Sequence, residues 1–80
     1  MLIKLMKTTT EIITIAGTGV NLIIDAQKKT TTEIISIVGS VGRKDGHVTI
    51  INCNRKTITE LLTICSIYPK NITLDLTDRK

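Results

Sequence analysis

One histidine, two cysteines, a glycine-rich basic stretch and a set of lysines are the residues of this 80-residue chain that could carry chemistry. His47 could ligate a metal or act as a general base. Both roles need partners, and no His, Asp or Glu recurs around it at ligand spacing. It follows Asp45 and Gly46, a turn pair, and opens an extended segment, so it is expected at a surface or a strand edge. Cys53 and Cys65 lie twelve residues apart, which is no metal-site spacing. The stretch 39–46 holds Gly39, Gly42 and Gly46 with Arg43 and Lys44, and invites comparison with a phosphate-binding loop. Such loops run from a strand into a helix, so that a helix N-terminus faces the anion. This one runs the opposite way and is expected to be a solvated insertion. No nucleophile–base pair, carboxylate pair or ligand set can be assembled, so neither an enzyme nor a cofactor is expected.

The collective feature is a set of basic residues, Lys7, Lys28, Lys29, Arg55 and Lys56, each just ahead of a helix start identified below. Stacked along one rim, with Arg79 and Lys80 extending the row, they could attract an anion, since amines and helix N-termini both favour negative charge. Glutamates at the same helix starts oppose that field, and the net charge is only +4.

Composition narrows the remaining classes. Hydrophobic residues at 41% with 22% charged describe a globular chain, and the length allows one domain over 1–80. Tyr68 is the sole aromatic, which excludes aromatic cages and base-stacking platforms. No apolar run approaches the ~20 residues of a membrane span. Lys4 interrupts the apolar start, so a signal peptide is not expected. Two cysteines without such a signal fit a cytoplasmic setting.

The elements that must position these residues come from an internal repeat. KTTTEIITIAG at 7–17 recurs as KTTTEIISIVG at 29–39 and, more loosely, as KTITELLTICS at 56–66. Each copy opens with a Thr-x-x-Glu capping box: Thr8 with Glu11, Thr30 with Glu33, Thr57 with Glu60. Apolar residues follow at i, i+1, i+3 and i+4, the stripe of a short helix. Gly17 and Gly39 are expected to stop the first two helices and Pro69 the third.

A second segment follows each helix: 20–25, 48–53 and 72–77 alternate with period two and read as strands buried on one face. Aligned this way, Cys65 takes the core slot of Ala16 and Val38, while Cys53 shares the open face with Asp25 and Thr77. Asn52 is the one polar residue in the inward set. Positions 2–6 read as an extra leading strand.

The expected fold is α/β: β-α-β-α-β-α-β, a parallel four-stranded sheet with three helices on one face, in repeats of about 7–28, 29–55 and 56–80 after the strand at 2–6. In period and one-sidedness this open solenoid resembles the leucine-rich-repeat proteins. The resemblance is architectural and implies no particular activity. The expected function is that of an interaction or assembly module, a homo-oligomer or a binder of a protein partner, acting through sheet edges or an open face around Ile23, Ile51 and Cys53. The alternative is weak polyanion or nucleic-acid binding along the basic rim.

Overall fold

Isoleucine and threonine are poor helix formers, so the helices of this chain depend on their ends and on what they pack against. The computed structural model describes residues 7–77; the leading strand expected at 2–6, and Arg79 and Lys80, lie outside the described residues. All three capping boxes form. Thr8 Oγ1 accepts from the Glu11 N–H at 3.1 Å while Glu11 Oε1 accepts from the Thr8 N–H at 2.9 Å. The same reciprocal pair closes Thr30 with Glu33 and Thr57 with Glu60. They start α1 (Thr9–Ala16), α2 (Thr31–Arg43) and α3 (Ile58–Ile67). Helices of this length are marginal alone, and burial of one side holds them.

The strands are β1 (Leu22–Asp25), β2 (Val48–Ile51) and β3 (Ile72–Leu74), in sheet order β1-β2-β3 and all parallel. The sheet is open. Three helices and a three-stranded parallel sheet make a mixed α/β fold. The helices follow the strand order, α1 against α2 and α2 against α3.

One core joins both layers. Ile34, Ile37, Val38 and Val41 from α2 meet Val48 and Ile50 from β2, with Ile12 and Ala16 on one side and Ile64 on the other. Each buried isoleucine contributes roughly 2 kcal/mol against its exposed state.

The strand register departs from the sequence alignment by two residues. Leu22, not Val20, pairs with Val48, which in turn pairs with Ile72, and the Leu22 N–H donates to the His47 carbonyl at 2.8 Å. A slip of two keeps every side chain on its expected face. Ile24 and Ile50 therefore still point into the core, while Val20 falls outside the strand and is exposed.

Two further expectations are corrected. Gly39 does not stop α2, which continues to Arg43, so most of the expected insertion is helix. The reason is tertiary. Val41 is fully buried one turn beyond Val38, and Gly42 receives the ring of Tyr68. A Cβ on Gly42 would lie 2.1 Å from that ring. The bend falls later, at Asp45, which takes a left-handed φ of 57°.

Cys53 is not on the open face; it is fully buried. Asn52 causes this. With φ at 56° it ends β2 and turns the chain, so that Cys53 swings into the core and Asn52 needs no inward partner. The Cys53 thiol donates to the Asp75 carbonyl at 3.3 Å, joining the exit of β2 to that of β3. Cys65, expected in the core, is only half-buried. Pro69 behaves as expected: α3 ends at Ile67 and Pro69 opens a 3-10 turn.

Two glycines of one helix are thus expected to respond oppositely. Gly42→Ala should lower stability by roughly 1–3 kcal/mol, because Tyr68 must leave its seat. Gly39→Ala, whose new Cβ meets only the end of Arg43 at 3.6 Å, should raise it by up to about 1 kcal/mol. Urea melts of the two variants check the pair.

Candidate functional site

Lys7, Lys29 and Lys56 occupy the same place in the three repeats, one residue before each helix cap. The structure shows what two of those amines do. Lys29 Nζ donates to the Lys7 carbonyl at 3.1 Å and to Thr9 Oγ1 at 3.1 Å. Lys56 Nζ donates to the Lys29 carbonyl at 3.0 Å. Each amine therefore reaches back one repeat. The glutamates do the same in the reverse sense. Thr9 Oγ1 donates to Glu33 Oε2 at 2.9 Å, and Thr31 Oγ1 donates to Glu60 Oε2 at 2.8 Å. One carboxylate oxygen caps its own helix while the other takes the hydroxyl of the preceding helix.

Lysine before the cap, threonine first in the helix and glutamate third thus form a ladder along the rim. The threonine partners, Thr9 and Thr31, were not singled out by sequence reasoning. Their signal was present in the KTTTE spelling, where the second threonine has no role in the capping box. In the third repeat that position is Ile58, and it can donate nothing.

The electrostatics follow from these contacts. Glu33 and Glu60 are held below the ordinary glutamate value near 4.5, first by the backbone N–H of their caps, then by the hydroxyls of Thr9 and Thr31. Glu11 is also lowered, by the Thr8 backbone, but it has no preceding threonine in that role. The carboxylates stay ionised among the lysines and offset their charge.

Arg55, Lys29 and Lys56 come together around a hollow of about 380 Å³, with Ala26, Gln27 and Asn52 completing the lining. It opens beside the C-terminal ends of β1 and β2. Lys28 is exposed and does not line it. Lys7 instead borders a second hollow of about 230 Å³, between α1 and β1, with Ile12, Ile15, Leu22 and Ile24.

The other candidates fall in several places. Ile23 stands on the open sheet face and is 71% exposed; Ile51, on the same face, is half-buried. Cys53 lies on the opposite side, in the core. Burial pushes its thiol up, and the nearby Asp75 and Cys65 add to this, so the nucleophilic thiolate is disfavoured. His47 Nε2 meets Thr73 Oγ1 at 2.7 Å, bridging β2 and β3. Among the described residues no cluster of His, Cys, Asp or Glu could hold a metal ion, and no helix is long and apolar enough to cross a membrane.

The lowered glutamates give the fold an acid sensitivity of defined sign. A carboxylate depressed on folding stabilises the native state above its unfolded value near 4.5, and that contribution disappears as pH falls through the folded value. Melting temperature should therefore drop between neutral pH and about pH 3. Glu33→Gln and Glu60→Gln should each flatten that drop more than Glu11→Gln does. Calorimetry across the pH series checks the ranking.

Compared with known proteins, the chain matches no family model, no curated protein and no solved structure, so its own geometry must carry any functional conclusion.

Proposed function

We propose that this chain is a non-enzymatic interaction and assembly module, a short open solenoid of leucine-rich-repeat-like kind that self-associates or binds a protein partner through its sheet edges or open face. One observation carries this reading: among the described residues, positions covered inside the stack are more exposed in its outer helices. Ile37 of α2 and Ile64 of α3 are fully buried, while the equivalent Ile15 of α1 is 39% exposed. Ile35 of α2 is half-buried, while the equivalent Leu62 of α3 is 65% exposed. Ile23 adds an apolar side chain on the open face. Repeat arrays normally close such ends with polar caps or with partners. Among the described residues no strand lies outside β1 or β3, which leaves backbone groups for pairing at the same ends.

A second reading has its own support in the hollow lined by Lys29, Arg55 and Lys56, beside the starts of α2 and α3. Three cations there would suit a phosphate-bearing polyanion such as a nucleic acid. The ladder weighs against it, because the amines of Lys29 and Lys56 already serve carbonyls.

Size-exclusion chromatography with light scattering at micromolar concentration tests the first reading. A mass above the 8.8 kDa of one chain is expected, and a strict monomer overturns self-association. Gel shifts with a single-stranded oligonucleotide over a salt series test the second. Binding that weakens steeply with salt and with Arg55→Gln would favour it, and no binding at low salt disposes of it.

A further inference from the structure

The two ends of the stack are not alike, and the difference identifies a partner. The α1 flank that meets α2 carries Thr9, Ile13 and Ala16. The α2 flank that meets α3 carries the equivalent Thr31, Ile35 and Val38, with Thr9 and Thr31 bonded to the next helix's glutamate. The same flank of α3 carries Ile58, Leu62 and Cys65, with no fourth helix against it among the described residues. Ile58 is 72% exposed, Leu62 65%, and Cys65 is half-buried. The flank bears no charge. Glu60 lies on the other side of α3, bonded to Thr31.

A further repeat of the same kind fits this flank poorly. Its capping glutamate would arrive where Thr9 and Thr31 donate a hydroxyl in the earlier repeats, and would meet the hydrocarbon of Ile58 instead. A carboxylate losing water without gaining a donor is penalised. A second α3 brings no carboxylate to that place. Set antiparallel, it lays Ile58 and Leu62 of one copy on those of the other. Its positive N-terminal end then also lies beside the negative C-terminal end of its neighbour.

The sheet edge below agrees. The Asp75 N–H donates to the Ile50 carbonyl at 2.9 Å, so by alternation along a parallel ladder the Leu74 N–H points away from β2, toward the outer edge. The strand at that edge, Ile72–Leu74, carries neither charge nor proline. The usual guards against pairing flank these three residues, Pro69 and Lys70 before and Asp75 after, and leave the strand itself free of them. A twofold axis perpendicular to the sheet at Thr73 would place Ile72 opposite Leu74 of a second copy. The inward faces of both copies would stay inward, and both helix layers would lie on one side.

Resting on the assembly reading above, the geometry points to the α3–β3 end as a self-complementary surface at which a second copy of this chain docks across a twofold axis. The product is a closed dimer with one continuous six-stranded sheet.

Light scattering of the full chain and of Leu62→Arg, Ile58→Thr and Ile23→Lys tests it. The wild type should have twice the single-chain mass. Leu62→Arg should weaken the dimer roughly 30-fold or more with an unchanged circular dichroism spectrum, since Leu62 is exposed in the single chain. Ile58→Thr should weaken it less. Ile23→Lys, on the open face, should leave it intact. A dimer that survives Leu62→Arg but is lost in Ile23→Lys overturns this surface and leaves the assembly reading standing. Masses that keep growing beyond the dimer with concentration do the same, in favour of head-to-tail stacking. A wild-type monomer overturns both. Should Leu62→Arg unfold, Leu62→Cys combined with Cys65→Ser decides. A covalent dimer on a non-reducing gel after mild oxidation supports the surface, and its absence in a sample whose wild type is dimeric rejects it.

Discussion

Each shared glutamate serves two helices at once, and the stacking of the repeats is set by that double duty. Glu33 caps α2 with one oxygen and takes the Thr9 hydroxyl with the other; Glu60 does the same for α3 and Thr31. Lys29 and Lys56 tie the same joints from the opposite direction. None of these bonds is a large source of free energy, because hydrogen bonds of this kind net only about 1 kcal/mol after exchange with water. The apolar layer of isoleucine and valine supplies the cohesion. The ladder fixes something that layer cannot, namely the offset of one helix against the next. Greasy side chains slide and repack with little penalty, whereas a carboxylate held at both oxygens does not.

This division of labour explains a composition that looks unsuited to helices. Isoleucine and threonine together fill 29 of the 80 positions and would ordinarily favour strands. Here Thr8, Thr30 and Thr57 sit at caps and Thr9 and Thr31 at first positions, where a hydroxyl is wanted. Ile12, Ile34, Ile37 and Ile64 sit where a broad apolar side chain is buried. The helices therefore have little independent tendency to form. Their order comes with the contacts, and the repeats should fold together rather than one by one.

Much of the fold could be read from the chain because its signals are local. A capping box lies within four residues, and each of the three formed as the spelling implied. The alternation of β2 correctly placed Val48 and Ile50 inward. What could not be read depends on contacts distant in sequence or on a single torsion. Gly39 looked like a stop, but Val41 and the distant Tyr68 draw the helix on to Arg43. The period of two carried Cys53 to the open face only as long as the strand continued, and one left-handed residue, Asn52, reversed it. The basic rim was recognised but not its use. Sequence shows an amine at each repeat, and cannot show that it turns back toward a carbonyl of the preceding one.

Tyr68 has a consequence beyond packing. It is the only tyrosine in a chain with no tryptophan and no phenylalanine, and its ring rests on the bare backbone of Gly42. Near-ultraviolet absorption and emission of the whole molecule therefore arise from one chromophore lodged at the joint between the second and third repeats. Any event that loosens that joint changes the signal without a label, whereas fraying confined to α1 leaves it dark. The chain carries a built-in optical gauge of how tightly its last module is seated.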